Sequence, residues 1–554
     1  MRIKLFLTHS ICFVLFSFYL NAQTDLLNYL PEKAGMIIDI DCGSLSQKVS
    51  RQELMEMKFF DSVFKKAKAE SKQIFAEPTE SGINYNDHLY LVFNMAGDDP
   101  NNYIAVYGKV SDEAKLSQLL QKIEDKTITR KTTGQNKMII SKNFLFAWNN
   151  TVFAVYAKTP FDKRSEAETR QTQAQKKKEL ALLEHKCIEL LTPKTQNIIT
   201  NKYFETMSRS KGDFKIWIDN NSLMSGLNRK GPWAAFNMNN PLQAHQKAII
   251  VNFEKGKIVS NSYSYYDETT LPTVQNMYAE KINADLIKKI PSGNLLGLYA
   301  LSIKPGAVKN FIENSGILKE FNNPDEQPGF DPITLLDHLK GDVVMAVTMP
   351  EHVNDDTSEN KLPFSGARVF IAATINDEMK VNKFIDSLKL AIEEKRKQKD
   401  TVGDNEIVKK KDFLKGMKSS MKVENGVFLL TVGGAEEEAG TISANTYNNL
   451  VNEYGQRPTL MIIDLKAIMS MVLNFTNKMR HTEDQPEISG VFGMFDKMII
   501  SGGKFENDAM VTTQEVKFTN AEENSLNQMM KMIDLAFSAI SKSSKVKDIK
   551  VKEN

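Results

Sequence analysis

Cysteine, histidine and tryptophan are scarce in this chain: 3, 7 and 3 residues among 554. So few thiols exclude a small scaffold stapled by disulfides. None of the histidines stands in an H-E-x-x-H or paired-ligand spacing, which removes the simplest zinc-enzyme signature. An excess of one charge is missing too, with 71 Lys plus Arg against 69 Asp plus Glu, so bulk electrostatics gives no reason to seek nucleic acid. Beyond Leu20 no apolar run reaches the eighteen or so residues that a spanning helix needs. Gly-rich phosphate cradles, a G-x-S-x-G elbow and a papain-like cysteine context are likewise absent, so no reaction-bearing motif is written in the chain.

What is present begins with an address. Arg2 and Lys4 precede an apolar stretch from Leu5 to Leu20, followed by Asn21-Ala22-Gln23, the pattern of a secretory signal peptide cut after Ala22. Leu20 is bulky for its place before that bond, so an uncleaved anchor stays open. Loss of residues 1–22 removes Arg2 and Lys4 and leaves 69 charges of each sign. Cys12 lies inside the apolar stretch rather than at the cleavage point, and only Cys42 and Cys187 remain for an oxidising compartment. Two positions alone do not decide whether they pair.

The chain also repeats itself. Val110-Ser111-Asp112-Glu113-Ala114-Lys115-Leu116 returns as Ile375-Asn376-Asp377-Glu378-Met379-Lys380-Val381, in each case a strand end, a polar cap and an acidic helix start. Upstream, Asp87-His88-Leu89 corresponds to Asp337-His338-Leu339. Downstream, Ile216-Trp217-Ile218-Asp219 corresponds to Met461-Ile462-Ile463-Asp464, and Lys247-Ala248-Ile249-Ile250 to Lys497-Met498-Ile499-Ile500. Four matches in one order point to a tandem duplication. Each half reads as strand, helix, two strands, helix, hairpin, strand, helix and hairpin, which predicts an α+β fold: two homologous halves, each with antiparallel sheets and hairpins packed by amphipathic helices. The expected boundaries are a signal segment at 1–22, a first half at 23–275 with a charged helical insert at about 161–191, a second half at 276–541, and a Lys-rich mobile tail at 542–554.

Candidate chemistry is thin. Asp87-His88 and Asp337-His338, at matching places in the repeat, are the best metal or acid/base candidates, although an Asp capping a turn before a strand explains them as well. Tyr263, Tyr265 and Tyr266 in a strand pattern, and Trp233 in Gly231-Pro232-Trp233, offer rings that could stack on sugars or a partner, or else pack a core. The acidic runs Asp98-Asp99, Asp355-Asp356 and Glu436-Glu437-Glu438 lack the spaced ligands of a calcium loop. The basic runs at Lys176, Lys395 and Lys409 read as solvated faces.

The opening Leu30-Pro31-Glu32-Lys33-Ala34-Gly35, the strand Met36-Ile37-Ile38-Asp39-Ile40-Asp41 with Ser44-Leu45, and Ser81-Gly82-Ile83 before the Asp87-to-Val110 strand pair resemble a large uncharacterised family of exported Gram-negative bacterial proteins. The resemblance implies an envelope address without an assigned activity, and many such proteins are lipoproteins. This chain has no cysteine at the cleavage site, which argues against a lipid anchor. No functional residue carries over. The sequence therefore leads us to expect a non-catalytic binding or structural component of the cell envelope, periplasmic or extracellular, with no cofactor, no nucleic-acid partner and no transmembrane span after signal removal. Its partner would be an envelope protein, a glycan or a small ligand. Two alternatives remain: an envelope hydrolase or metal-dependent enzyme using the Asp-His pairs, and a carrier of a lipid-like cargo.

Overall fold

The computed structural model describes residues 26–60, 77–94, 102–122, 128–141, 144–158, 173–226, 244–315, 336–349, 366–399, 419–433, 442–480 and 486–552. The signal segment, Trp233, the three acidic runs and Lys409 to Lys411 lie outside these residues, as do the side chains of Lys176 to Lys178 and Lys395 to Lys397. The chain divides into two compact units. The first holds the residues up to Glu254, with Ser262–Tyr265 and Met529–Phe537; the second holds Lys255–Asn261, Tyr266–Gln528 and the residues from Ser538 on.

The strands of the first unit, in chain order, are Met36–Asp41 (β1), His88–Asn94 (β2), Tyr103–Lys109 (β3), Thr129–Thr133 (β4), Asn136–Ile140 (β5), Leu145–Trp148 (β6), Val152–Lys158 (β7), Phe214–Asp219 (β8) and Gln246–Glu254 (β9). They pair in the order β9-β8-β1-β2-β3-β7-β6-β5-β4, antiparallel at every step. Alternation along the pleat buries Ile37, Val92, Ala105, Tyr107 and Trp217 on one face. Helix Cys42–Lys48 (α1) follows β1 directly. Helix Glu113–Gln121 (α2) starts at Asp112, whose carboxylate accepts from the Lys115 amide at 3.0 Å. It buries Leu116 and Leu120, one turn apart, with Ile139, Trp148 and Phe153. Helix Gln173–Leu190 (α3) buries Cys187 and Leu190 and sets the Lys186 ammonium 4.2 Å from the Tyr103 ring centre. Helix Lys202–Arg209 (α4) sets Phe204 edge-on against Trp217, centroids 5.9 Å apart.

In the second unit the strands are Asn294–Ser302 (β11), Leu339–Met349 (β12), Arg368–Ile375 (β13), Ser419–Glu424 (β14), Val427–Val432 (β15), Thr459–Asp464 (β16), Phe495–Glu506 (β17) and Ala509–Phe518 (β18), while Lys257–Tyr265 (β10) is divided between the units. Pairing runs β18-β17-β16-β11-β12-β13-β15-β14, again antiparallel throughout. The path β17-β16-β11-β12-β13-β15-β14 is therefore the path β9-β8-β1-β2-β3-β7-β6 of the first unit, strand for strand. Helix Glu378–Lys399 (α5) repeats α2: Asp377 accepts from the Lys380 amide at 3.1 Å, and Val381 and Ile385 are buried. The other sheet face buries Leu298, Ala300, Val344, Ala346, Phe370, Leu460, Ile462 and Ile499 beneath Leu286, Ile290 and helix Ala444–Tyr454 (α6). Helix Leu465–Arg480 (α7) follows β16. The β17–β18 turn places Asn507 and Asp508 at φ 48° and 66°, a left-handed conformation that short polar side chains tolerate.

The expected α+β architecture with antiparallel sheets holds. Cys42 and Cys187 are both free; burial pushes the first thiol up to about 11 and the second to about 12. The closing helix, Ser525–Lys552 (α8), continues through most of the segment expected as a mobile tail. That segment contains neither Gly nor Pro, and extending an existing helix costs far less than nucleating one. Among the described residues no helix is long and apolar enough to cross a membrane.

Candidate functional site

The strand β1, Met36-Ile37-Ile38-Asp39-Ile40-Asp41, turns Ile37 and Asp39 inward. A carboxylate on a core face needs compensation, and the ladder supplies it. Asp39 lies opposite Tyr90 of β2 and opposite Lys215 of β8, so three strands deliver a row of polar side chains to one level. Lys215 Nζ stands 3.0 Å from Asp39 Oδ2, the pair being 2% and 1% exposed, and donates to the Ser208 carbonyl at 2.8 Å. His88 Nδ1 meets Asp39 Oδ1 at 2.5 Å.

A second carboxylate, Asp213, anchors the same end of the sheet. It accepts from Ser44 Oγ at 2.6 Å and from the Phe253 amide at 2.6 Å, and pairs with Lys48. Asp41 accepts from the Ser44 amide at 2.8 Å and thereby starts α1. Asp87 receives the His88 amide at 2.8 Å and Lys109 Nζ at 2.9 Å.

Burial works against a charged imidazole at His88, but the hydrogen bond and charge of Asp39 outweigh it and hold its pKa above the ordinary value. Tyr90 is pushed well above the phenol range, first by burial and then by the charges of Asp39, Asp87 and Asp41. Its hydroxyl has no hydrogen-bond partner among the described residues. An Asp that orients a His is part of a catalytic triad, but a nucleophile does not follow here. Ser44 Oγ is committed to Asp213, and burial with the charges of Asp41 and Asp39 keeps Cys42 a thiol. The cluster is built to hold a buried ion pair.

The partner motif in the second unit does not repeat this arrangement. Asp337 is exposed and pairs with Lys309 at 2.7 Å, while the His338 carbonyl accepts from the Asn376 amide at 2.9 Å. Ladder partners assign the equivalence differently from the sequence match. His88 lies against Asp41, and the residue in that place in the second unit is Asp342, against Ser302. The register breaks between Leu339 and Val343, where Gly341 takes φ 119°, and this carries His338 away from the position of His88. By the same registers Asp39 and Lys215 correspond to Ala300 and Leu460, both fully buried. The match of Lys247 with Lys497 slips by one residue: Lys497 stands opposite Asp464 as Gln246 stands opposite Asp219. Among the described residues no group of three or more His, Cys, Asp or Glu is placed to hold a metal ion.

The tyrosines are packing groups. Tyr265 is buried and stacks on Tyr203 at 3.9 Å; burial raises its hydroxyl to about 12. Tyr263 lies half-buried on the same strand face. Tyr266 belongs with the second unit, packs on Phe505 at 6.3 Å and is likewise raised by burial to about 12.

The second unit carries a feature that the sequence reading did not locate. Between the sheet and helices α6 and α7 lies a cleft of about 800 Å³, floored by Leu296, Leu450, Ile462 and Ile499 and flanked by Met349, Met471 and Ala467. Its charged lining is Glu453, Asp464, Lys497 and Lys517. A smaller cavity of about 210 Å³ shares Glu453, Tyr454 and Ile499 with it and contains Arg457, which donates to the Ser501 carbonyl and Thr513 Oγ1, each at 2.9 Å. The size falls within the roughly 300–1,000 Å³ typical of ligand pockets, and the lining mixes apolar side chains with polar ones that include Asn294, Thr446 and Asn449.

Fold and cleft together define an antiparallel-sheet α+β protein with a small-molecule-sized recess in its second unit. Residues 26–432 match the family described as Domain of unknown function (DUF4836), and the chain belongs to that family. No curated protein matches it. Among solved structures, crystal form III of TP0453 is similar at 12% identity and a TM-score of 0.25, covering 45% of this chain and 85% of that one. Crystal form IV gives 12% identity and a TM-score of 0.26, with 47% and 87% covered.

Proposed function

We propose that this is an exported, non-catalytic binding protein of the cell envelope, built from two halves that arose by tandem duplication, and that its ligand sits in the cleft of the second unit. The observation that carries the reading is the recess of about 800 Å³ between sheet and helices, whose apolar floor is already formed. The common strand path of the two units supports the duplication, and the signal-like segment before residue 23 supports export to the periplasm or beyond. The first unit, with its buried ion pair, serves as scaffold.

The test uses protein purified from its own cell envelope. Organic extracts should contain a small molecule that comigrates with the protein, and broad hydrolase panels should show no turnover. Replacing Ala467 by Trp, which fills the recess from the start of α7, should empty the extract while leaving the fold intact. Extracts that are empty for the native chain, or equally loaded for the variant, would overturn the proposal. The competing hydrolase reading requires that His88→Ala abolish a measured activity.

A further inference from the structure

Most of what the cleft leaves open to a ligand is polar. Its floor residues Leu296, Leu450, Ile462 and Ile499 are only 3–8% exposed, so almost none of their apolar area remains to be buried. An acyl chain gains little there. Charge gives no preference either, because the cleft and the smaller cavity beside it hold three acids, Glu453, Asp464 and Glu515, against three cations, Arg457, Lys497 and Lys517. A lining balanced in this way favours neither an anion nor a cation.

Hydrogen bonds are what it does offer, most clearly in the smaller cavity. Arg457 lies over the rung where Ser501 of β17 stands opposite Thr513 of β18; it donates to the Ser501 carbonyl and to Thr513 Oγ1, and that hydroxyl donates in turn to Asn261 Oδ1 at 2.9 Å. These bonds fix a guanidinium with five N–H donors, so donors are left over. Glu515 comes two residues further along β18, about 7 Å away by strand geometry, and stands opposite Ile499. Its Oε1 accepts from Lys257 at 3.4 Å, while its Oε2 is buried, 3.7 Å from Lys517, and accepts no hydrogen bond among the described residues. A buried acceptor left open is costly until something donates to it. A fixed donor and an open acceptor thus line one space of about 210 Å³, which at about 30 Å³ per water has room for about seven waters or one six-membered sugar ring. Tyr454 adds an aromatic ring to the lining, its hydroxyl donating to Glu453 at 2.7 Å. A sugar has hydroxyls around its rim and C–H groups on its face, and such a face stacks on an aromatic ring.

We infer that the ligand is an uncharged saccharide, one ring in the smaller cavity with hydroxyls on Glu515 and Arg457 and its C–H face on Tyr454, and further units in the cleft beside Asn449 and Asn294. This rests on the second-unit cleft being the binding site.

The experiment is calorimetric titration of the full chain with maltotriose, cellotriose, mannotriose and triacetylchitotriose, all uncharged, with trigalacturonate and dodecanol as the charged and apolar controls. At least one of the four should bind one per chain, more tightly than either control, and equally well at low and high salt because no ion pair forms. Glu515→Gln should weaken that saccharide about tenfold, the worth of a hydrogen bond to a charged group, whereas Tyr454→Phe, which keeps the ring, should change it by less than about threefold. If none of the four binds, if a control binds more tightly, or if Glu515→Gln changes nothing in a folded chain, the saccharide inference fails. In each of those cases a copurifying molecule that Ala467→Trp expels still supports the cleft, and the absence of one ends both readings.

Discussion

At the same level of the same strand path the two units made opposite choices. The first buries Asp39 and Lys215 against each other, with His88 on the outer carboxylate oxygen; the second puts Ala300 and Leu460 there, with Asp342 in the place of His88. A second difference lies one rung away. Trp217, closed off by Phe204, corresponds to Ile462, which floors an open recess beneath α6. An ion pair taken out of water contributes little over a hydrophobic pair of similar volume, yet removing one partner is costly because the other charge stays buried. At these two positions the first unit thus carries a buried ion pair and a buried indole, and the second carries aliphatic side chains, one of them lining a recess.

The comparison can be broken most forcefully at Asp39. Asp39→Ala strands Lys215, only 2% exposed, and should cost about 3–5 kcal/mol in denaturant unfolding of the first unit. Adding Lys215→Leu, which installs the residues of the second unit, should recover most of that loss. If the double variant is as unstable as the single one, the ion pair is not the reason for the penalty. Next, Trp217→Ile should open in the first unit the kind of space the second already has, at about 2–4 kcal/mol, checked by the same unfolding curves.

A smaller effect is expected from pH. His88 holds its proton more tightly in the folded chain than the ordinary imidazole value of 6.5. Its contribution is therefore complete below about 6.5 and lost as pH rises through the higher folded value. Amide exchange in Met36–Asp41 should speed up across that rise in the native chain and stay flat in His88→Gln; equal slopes would remove His88 from the account. Smallest of all, Asp337→Ala breaks only an exposed pair with Lys309 and should change stability by less than about 0.5 kcal/mol. A loss as large as that of Asp39→Ala would mean that the two Asp-His motifs are equivalent after all.

Much of this was legible in the residues. The capped helix starts at Asp112 and Asp377 and the buried spacing of Leu116 and Leu120, repeated at Val381 and Ile385, follow from caps and periodicity. Strand registers were less legible. Asp337-His338 copies Asp87-His88 in letters, but the register break at Gly341 moves the ladder position four residues on, to Asp342, so matching letters do not occupy matching places. Asp39 was the hardest to read, since in Met36-Ile37-Ile38-Asp39 either alternate set can face the core. The available signal was a charge within each of two apolar strands, Asp39 and Lys215, besides the one that ends each strand, and only the β1–β8 ladder reveals their pairing. The cleft depends on side-chain volumes summed across several strands and helices, which no local pattern encodes.

The central claim of the proposal, that a ligand sits in the second unit while the first serves as scaffold, is tested most directly by amide hydrogen exchange of the full chain with and without the small molecule that copurifies with it. Protection confined to Ala444–Tyr454 and Thr459–Asp464, with Met36–Asp41 and His88–Asn94 unchanged, is the expected result. Protection in those first-unit strands instead, or in neither unit, would contradict it.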